Sequence, residues 1–402
     1  MVHLRVLILA TLLPASASVP GSDGRGTVTP PSAASLRTTA PPPGLVAAAA
    51  DRPASGTVRA AAADLQWARE FVARQYVVDG TASSLARVDP HCRTGCELSV
   101  FPGAGPGDFG TLKAVSGIDV GIFSMSGFGL EGMIDFRNRT ADGTIAGARV
   151  VLTWGDIETA RENGEYAYVF YVQSRVAPQW QLDGDLSNLR RWYAEGLRVL
   201  QLRYGDKEGH EPDERLAYGS YEGDEKGVTE LGRRAIAEMN RLGMIVDVSH
   251  LSRQSTLDAA ALSNKPVLAS HANAEALTPQ DRTKDDDELR AIAATGGVIG
   301  VTPIGWMLDR DGDGKAGMED MVAHVEYIAG LVGIDHVGLS TDAALDGWDP
   351  DSRHYADAEL AAFDRWVRLT AELHARGWSE EDLTKLLGGN FLRVFREVLS
   401  GC

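Results

Sequence analysis

The chain has 402 residues, of which 44% are hydrophobic and 24% charged, which is ample for a large buried core. Its 39 basic and 56 acidic residues give a formal net charge of −17, so its charge would repel phosphate backbones and argues against nucleic acid as a partner. The length allows two or three domains, but it also fits a single α/β barrel.

The first residues have the pattern of a secretory signal peptide. Residues 1–5 carry one basic side chain, residues 6–13 are almost entirely apolar, and Ala15, Ser16 and Ala17 form a small-x-small cleavage pattern. The apolar run is too short to span a bilayer. We therefore predict a signal peptide over residues 1–17, a secreted or periplasmic/extracellular protein, and no transmembrane anchor. A frayed N-terminal tail is the alternative.

Residues 18–57 are rich in Pro, Ala, Ser, Thr and Gly, and eight of the 17 prolines fall within the first 53 residues. No hydrophobic periodicity survives there, so we predict a disordered linker. The stretch VRAAADLQWAREFVARQ, which begins at Val58, has the apolar spacing of a helix. We place one folded domain over residues 58–402.

Short apolar runs alternate with amphipathic helical stretches along the rest of the chain. This alternation predicts a parallel sheet, and eight runs predict a (β/α)8 TIM barrel. ARVVLTW (148–154) is either a ninth strand or the lead into a helix near Asp156, and Ser379 with Asp382 forms a capping box before the last helix. The eight runs are YVVD (76–79), IDVGIFSM (118–125), YAYVFYVQ (ending at 173), LRVLQLRY (197–204), MIVDVSH (244–250), PVLASH (266–271), GVIGVTP (297–303) and HVGLSTD (336–342).

Three of these runs end in side chains suited to catalysis. The active site of such a barrel lies at the carboxyl ends of its strands, and two successive runs end in His250 and His271. Neutral imidazole is a good zinc ligand, so the pair predicts a metal or catalytic site, with two hydrogen-bonded rim residues as the alternative. Asp342 ends the last run and could accept a proton from water or cap the following turn.

Arg282 lies in the loop after the sixth run. Its planar guanidinium suits a substrate carboxylate. However, Asp281 and the acidic run 285–288 stand beside it, so a surface salt bridge is an equal alternative from the sequence alone.

Several motifs together resemble the membrane dipeptidase (renal dipeptidase) family. They are GMIVDVSHLS, PVLASHANAEAL, DDDELRAIAATGGVIGV with the arginine loop before it, VGIDHVGLSTD and LLGGNFLRVF. The resemblance spans about residues 70–400, and it implies a metal-dependent-hydrolase barrel, a two-zinc site, cleavage of dipeptides and a tendency to form homodimers. It further implies that His250 and His271 bind the second zinc, that Arg282 holds the substrate carboxylate, and that Asp342 is the acid–base group.

The first-zinc side of the pocket departs from the family pattern. The family's first strand ends in Asp-Gly-His-x-Asp, but Thr81 and Ser83 stand where its His and second Asp bind zinc. A second register in VDPHCRTG offers His91, although Arg93 would then replace the Asp.

Two substitutions affect the rest of the pocket. The bridging glutamate of the family falls at Gln173, and a substrate-binding histidine falls at Tyr204. Two adjacent dications need a bridging anion, which a neutral glutamine does not supply. We therefore expect no binuclear site but one zinc on His250 and His271, completed by Asp342, Gln173 or water, with a metal-free enzyme or a binding module as the alternatives.

These residues predict a metallo-dipeptidase-like hydrolase acting on small amides that carry a free carboxylate. In this scheme Asp342 moves the proton, Tyr204 supports the oxyanion, and Arg282 with Gln173 binds the substrate. The alternative is a non-catalytic small-molecule-binding or maturation protein built on the same barrel.

An acidic loop and a pair of cysteines each allow two interpretations. Asp309, Asp311 and Asp313 begin a calcium-loop pattern, although the twelfth position is Asp rather than Glu, so the choice is a weak structural calcium site or a solvated acidic loop. Cys92 and Cys96 are close enough for a small disulfide loop, with two unpaired thiols as the alternative.

Overall fold

The sheet consists of parallel strands in the order of a (β/α)8 barrel. In the computed structural model, residues 60–82, 109–125, 129–173, 186–204, 215–342 and 358–400 are described. Eight strands follow the order β1-β2-β4-β5-β6-β7-β8-β9, and β3 pairs with β4 outside this path. The strands are Val78–Ala82 (β1), Val120–Ser124 (β2), Ala148–Val150 (β3), Tyr166–Gln173 (β4), Leu197–Gln201 (β5), Ile245–Asp247 (β6), Leu268–Ala269 (β7), Val298–Val301 (β8) and Val337–Leu339 (β9).

Helices follow most strands, as the alternating pattern predicts. Sequence signals fix several of their ends: Thr229 caps α6 with its side chain, and Gly243 ends that helix in the left-handed conformation. The helices are Ala62–Val72 (α1), Phe109–Ser116 (α2), Gly129–Ala141 (α3), Trp154–Asn163 (α4), Ser187–Ala194 (α5), Glu230–Leu242 (α6), Arg253–Leu262 (α7), Asp286–Ala294 (α8), Gly305–Leu308 (α9), Met318–Val332 (α10), Ala358–Ala361 (α11), Arg365–Ala375 (α12), Glu380–Thr384 (α13) and Asn390–Leu399 (α14).

All eight predicted strands are confirmed, and with them the barrel fold. The stretch 148–154 satisfies both alternatives, because its first residues form β3 and its last residue begins α4. The predicted end of the first strand is wrong: β1 continues through Gly80 and Thr81 to Ala82 instead of turning after Asp79. All five β1 residues are buried, and small side chains let this strand pack closely inside the barrel.

A phenylalanine from the last helix fills the barrel interior. Phe391, in α14, is fully buried among inward-facing residues of the strands, such as Val78, Val120 and Val298. A Cβ added at Gly338 would lie 2.3 Å from the Phe391 ring, and one added at Gly80 would lie 2.7 Å from it. The interior is therefore a packed core, and the strand glycines make room for this ring.

Polar contacts join the two ends of the strand series. The Asp342 amide donates to the Thr81 carbonyl at 2.7 Å, and the Thr341 amide and hydroxyl donate to the Asp79 carboxylate at 2.8 and 2.7 Å. These bonds tie the end of β9 to β1, and they position the residue that follows Thr341.

The predicted signal peptide and linker lie outside the described residues, as do Cys92 and Cys96. All the described residues belong to one compact unit, Pro53–Cys402. Within the described ranges, no helix combines the length and apolar character needed to cross a membrane.

Candidate active site

Two imidazoles converge at the carboxyl end of the barrel. His250 follows β6 and His271 follows β7, and their ring centroids are 4.9 Å apart at an interplanar angle of 64°. Both residues are buried, and neither His250 Nδ1 nor His271 Nε2 has a hydrogen-bond partner within the described ranges. The structure therefore brings together the two side chains whose spacing predicted convergence.

Both histidines are neutral in this environment. Burial lowers the pKa of each well below its usual value, and the nearby positive charge of Arg282 lowers it further. A neutral imidazole has a free ring nitrogen lone pair, so two such groups with unpartnered nitrogens fit a divalent cation.

Asp342 lies beside this pair in an unusual backbone conformation. Its Oδ2 atom is 3.9 Å from His271 Nε2, and its φ angle of 49° is in the left-handed region, which costs a non-glycine residue on the order of 1–3 kcal/mol. Burial raises the pKa of this carboxyl to about 7, although Arg282 opposes the rise. A carboxyl with such a pKa exchanges a proton readily near neutral pH.

Arg282 is buried rather than part of a surface salt bridge. Its exposed fraction is 4%, and its guanidinium donates to the Ser249 carbonyl at 2.5 Å. None of the described carboxylates forms an ion pair with it. The neighbouring acids Asp285 and Asp287 pair with Arg253 instead. The structure thus excludes the surface alternative for Arg282 within the described part of the chain.

Tyr204 forms one wall of the site. Its ring stacks on His250, with centroids 4.1 Å apart and an interplanar angle of 27°. Gln173 ends β4 in register with Gln201 on β5, so it also lies at the carboxyl rim of the barrel. The structure therefore places all six predicted site residues at this end of the strands.

The first-zinc side offers few ligands. Thr81 is buried, and its hydroxyl donates to the Gly80 carbonyl at 2.6 Å. The Asp79 carboxylate already accepts from the Thr81 amide and from Thr341, and burial raises its pKa to about 6. The alternatives Ser83, His91 and Arg93 lie outside the described residues.

The ligand atoms of the two histidines and Asp342 are not all within 4.8 Å of one another. Among the described residues, the acids Asp309, Asp311 and Asp313 do meet that distance. Those carboxylates accept backbone amides of their own loop, and Asp320 pairs with Arg310 at 2.6 Å. The acidic loop is thus held by internal hydrogen bonds, and calcium there stays a prediction.

Sequence reasoning missed a buried polar layer beneath the histidines. Asp247 ends β6 and accepts hydrogen bonds from Ser249, Ser270 and Tyr171. The signal in the sequence is a carboxylate within an otherwise apolar strand, followed by a Ser-His pair. Its partners come from other strands, so their convergence became visible only in the folded barrel.

Comparison with known proteins identifies the family. The family model described as "Membrane dipeptidase (Peptidase family M19)" matches residues 129–400. The chain is 33% identical over 262 residues to an uncharacterised protein in the pqqA 5′ region of Klebsiella pneumoniae, a match that covers 62% of this chain and 89% of that protein.

Two further similarities agree with this assignment. The chain is 36% identical over 218 residues to the dipeptidase tcpJ of Claviceps purpurea, covering 54% of this chain and about half (48%) of that protein. The solved structure of the probable dipeptidase PvdM from Pseudomonas aeruginosa has a TM-score of 0.66 at 23% identity, covering 84% of this chain and 98% of that one, and this likeness shows the fold. The chain belongs to the membrane dipeptidase family, peptidase family M19, and is by that membership a metallo-dipeptidase-like hydrolase.

Proposed function

We propose that this protein hydrolyses dipeptides, or similar small amides that end in a free carboxylate. The observation that carries the proposal is the buried Arg282, which has no ion pair within the described residues and lies close enough to the two histidines to lower their pKa. A desolvated guanidinium that forms no ion pair with any described carboxylate is unfavourable until an anion binds, and a carboxylate fits its fork geometry.

The surrounding residues supply the remaining steps. Asp342 accepts a proton from the attacking water and returns it to the leaving amine, a role that its raised pKa favours. Tyr204 donates a hydrogen bond to the developing oxyanion, and Gln173 contacts the substrate from the neighbouring strand.

His250 and His271 would hold one zinc ion, completed by Asp342, Gln173 or water. When bound, the ion would supply Lewis acidity to the scissile carbonyl. The unpartnered nitrogens of both buried imidazoles support this assignment. By the family resemblance, Thr81 stands where a histidine ligand would be and the neutral Gln173 where the bridging glutamate would be, so the proposal is for a single ion.

Metal analysis of the purified protein, run together with a dipeptide hydrolysis screen, tests both statements. We expect close to one zinc per chain, hydrolysis of dipeptides, and loss of both zinc and activity in His250→Ala. Two zinc ions per chain would overturn the mononuclear site. Zinc and activity that persist in His250→Ala would remove the hydrolase proposal.

A non-catalytic binding or maturation protein is the second candidate, because the family resemblance places a histidine ligand at Thr81 and the bridging glutamate at Gln173. It predicts that dipeptides bind with Arg282-dependent affinity but are not cleaved. Calorimetric titration with a dipeptide, followed by amino-acid analysis of the mixture, separates the two functions.

We also propose that the protein is exported after cleavage following Ala17. The apolar run 6–13 and the small residues after it support this proposal. N-terminal sequencing of protein recovered outside the cytoplasm is expected to begin at Ser18, and an intact Met1 would contradict export.

A further inference from the structure

Asp247 lies directly beneath the histidine pair and has no role in the scheme above. It is fully buried at the end of β6. Its Oδ1 atom accepts from the Ser249 amide at 3.1 Å, the Ser249 hydroxyl at 2.7 Å and the Ser270 amide at 3.0 Å. Its Oδ2 atom accepts from the Ser270 hydroxyl at 2.8 Å and from the Tyr171 hydroxyl. Five donors thus fix this carboxylate in one orientation.

The Ser270 hydroxyl links this carboxylate to an active-site imidazole. Ser270 Oγ lies 2.9 Å from His271 Nδ1. A serine hydroxyl has one proton, and a hydrogen bond to a carboxylate is about twice as strong as a neutral one. The proton therefore goes to Asp247, and Ser270 Oγ presents a lone pair to His271. The contact between Ser270 Oγ and His271 Nδ1 is then a hydrogen bond only if Nδ1 carries the hydrogen.

A second contact holds the backbone of the same histidine. The His271 amide donates to Ser249 Oγ at 3.1 Å, and the Ser249 proton is directed to Asp247. The two serine hydroxyls are 3.1 Å apart, but no proton remains for a bond between them. His271 is therefore held at its amide and at Nδ1 by two hydroxyls that the same carboxylate orients.

We propose that Asp247 is a positioning residue that acts through Ser270 to hold His271 as the Nδ1–H tautomer. This tautomer leaves a lone pair on Nε2, the buried atom without a partner that lies 3.9 Å from Asp342 Oδ2. The opposite tautomer would point an N–H into the site and prevent Nε2 from binding a cation. The use of the lone pair rests on the proposed function, whereas the tautomer itself does not.

The tautomer can be read directly by side-chain ¹⁵N NMR of the full-length metal-free protein, with the His271 signals assigned by their loss in His271→Ala. We expect a protonated Nδ1 and an unprotonated Nε2 in the wild type. Ser270→Ala removes the acceptor, so we expect the tautomer to shift toward Nε2–H. We also expect zinc affinity, measured by chelator competition, to fall about 10- to 100-fold.

Ser249→Ala is the matched control, because it removes a hydroxyl from the same carboxylate without removing a contact to a ring nitrogen. We expect it to keep the Nδ1–H tautomer and to lose less zinc affinity than Ser270→Ala. An Nε2–H tautomer in the wild type would overturn the proposal, and so would an unchanged tautomer in Ser270→Ala. The wild-type tautomer needs only the assignment of the His271 signals, which His271→Gln supplies if His271→Ala does not fold, so the proposal remains testable. It also needs no dipeptide, so failure of the hydrolase proposal would be seen separately.

Discussion

Arg282→Met separates the requirements of function from those of folding. The arginine is 4% exposed, makes a hydrogen bond to the Ser249 carbonyl and forms no ion pair within the described residues. Methionine has a similar length and an apolar surface, so it can fill the same space. The substitution removes a buried cation and leaves one carbonyl without its donor.

The two consequences for stability have opposite signs. Replacing a buried ion pair by apolar side chains is often neutral or stabilising by about 1–4 kcal/mol, and we take the same range for this single buried cation. The unpaired Ser249 carbonyl costs about 1–3 kcal/mol. The unfolding free energy should therefore change by no more than roughly 3 kcal/mol in either direction.

The expected effect on catalysis is larger and depends on the substrate. Losing the partner of a buried carboxylate costs about 2–5 kcal/mol, which corresponds to about a 30- to 5,000-fold lower kcat/KM for a dipeptide. A dipeptide amide has no carboxylate, so its poor turnover should be almost unchanged. The ratio of kcat/KM for dipeptide to dipeptide amide should then fall close to one.

Steady-state kinetics on both substrates and urea unfolding of each protein supply these measurements. Arg290→Met is the matched control, since Arg290 lies on the surface of α8 with 53% of its side chain exposed and should alter neither quantity appreciably. If Arg282→Met kept the preference for the free carboxylate, the carboxylate-binding role would be refuted. If it unfolded the protein, the guanidinium would be part of the structural framework instead.

Three further predictions concern other parts of the barrel. Asp342→Asn removes the proton acceptor, so kcat should fall about 10²- to 10⁴-fold. Wild-type activity should decline as pH drops below about 7, because this carboxyl then becomes protonated. An unchanged kcat in the variant would contradict the proton-transfer role of Asp342. Asp79→Asn tests how protonation of this carboxyl affects stability. Because its pKa is raised to about 6, the native state keeps a proton that the unfolded chain loses. The unfolding free energy of the wild type should therefore fall as pH rises from about 4 to about 6, by up to about 3 kcal/mol. In urea unfolding with a chelator present, the Asn variant should lack this fall, and parallel pH profiles would contradict the assignment. Phe391→Ala empties the barrel interior and should cost about 3–5 kcal/mol of unfolding free energy, whereas a loss below 1 kcal/mol would show that the ring is not part of the core.

The sequence was sufficient for the barrel because its strands are short apolar runs separated by helices of regular period. Strands buried on both faces leave this signal even in isolation. The extension of β1 was not visible, because Gly80 is a typical turn residue. The strand continues through Gly80 and Thr81, and Phe391, over 300 positions later, packs against the glycine.

The site was only partly predictable for a related reason. The positions of His250 and His271 after successive strands implied convergence, since neighbouring parallel strands end at one rim. The burial of Arg282 was not implied, because its acidic neighbours in sequence are partners for Arg253 and Arg290 instead. Which charges pair is decided by the direction in which each side chain leaves its loop, and sequence order does not specify that direction.

Two sets of buried hydrogen bonds lie beneath the site. Asp247, Ser249, Ser270 and His271 belong to β6, β7 and the residues that follow them, and they form a connected set of hydrogen bonds. Thr81 belongs to a second set, in which its amide and the Thr341 hydroxyl donate to the Asp79 carboxylate. A network in which one carboxylate orients two serines and a histidine loses several bonds when any member changes, because each buried group left unpaired costs free energy. The two sets tie different strands together, so a substitution in one set is expected to disturb the geometry of that set first.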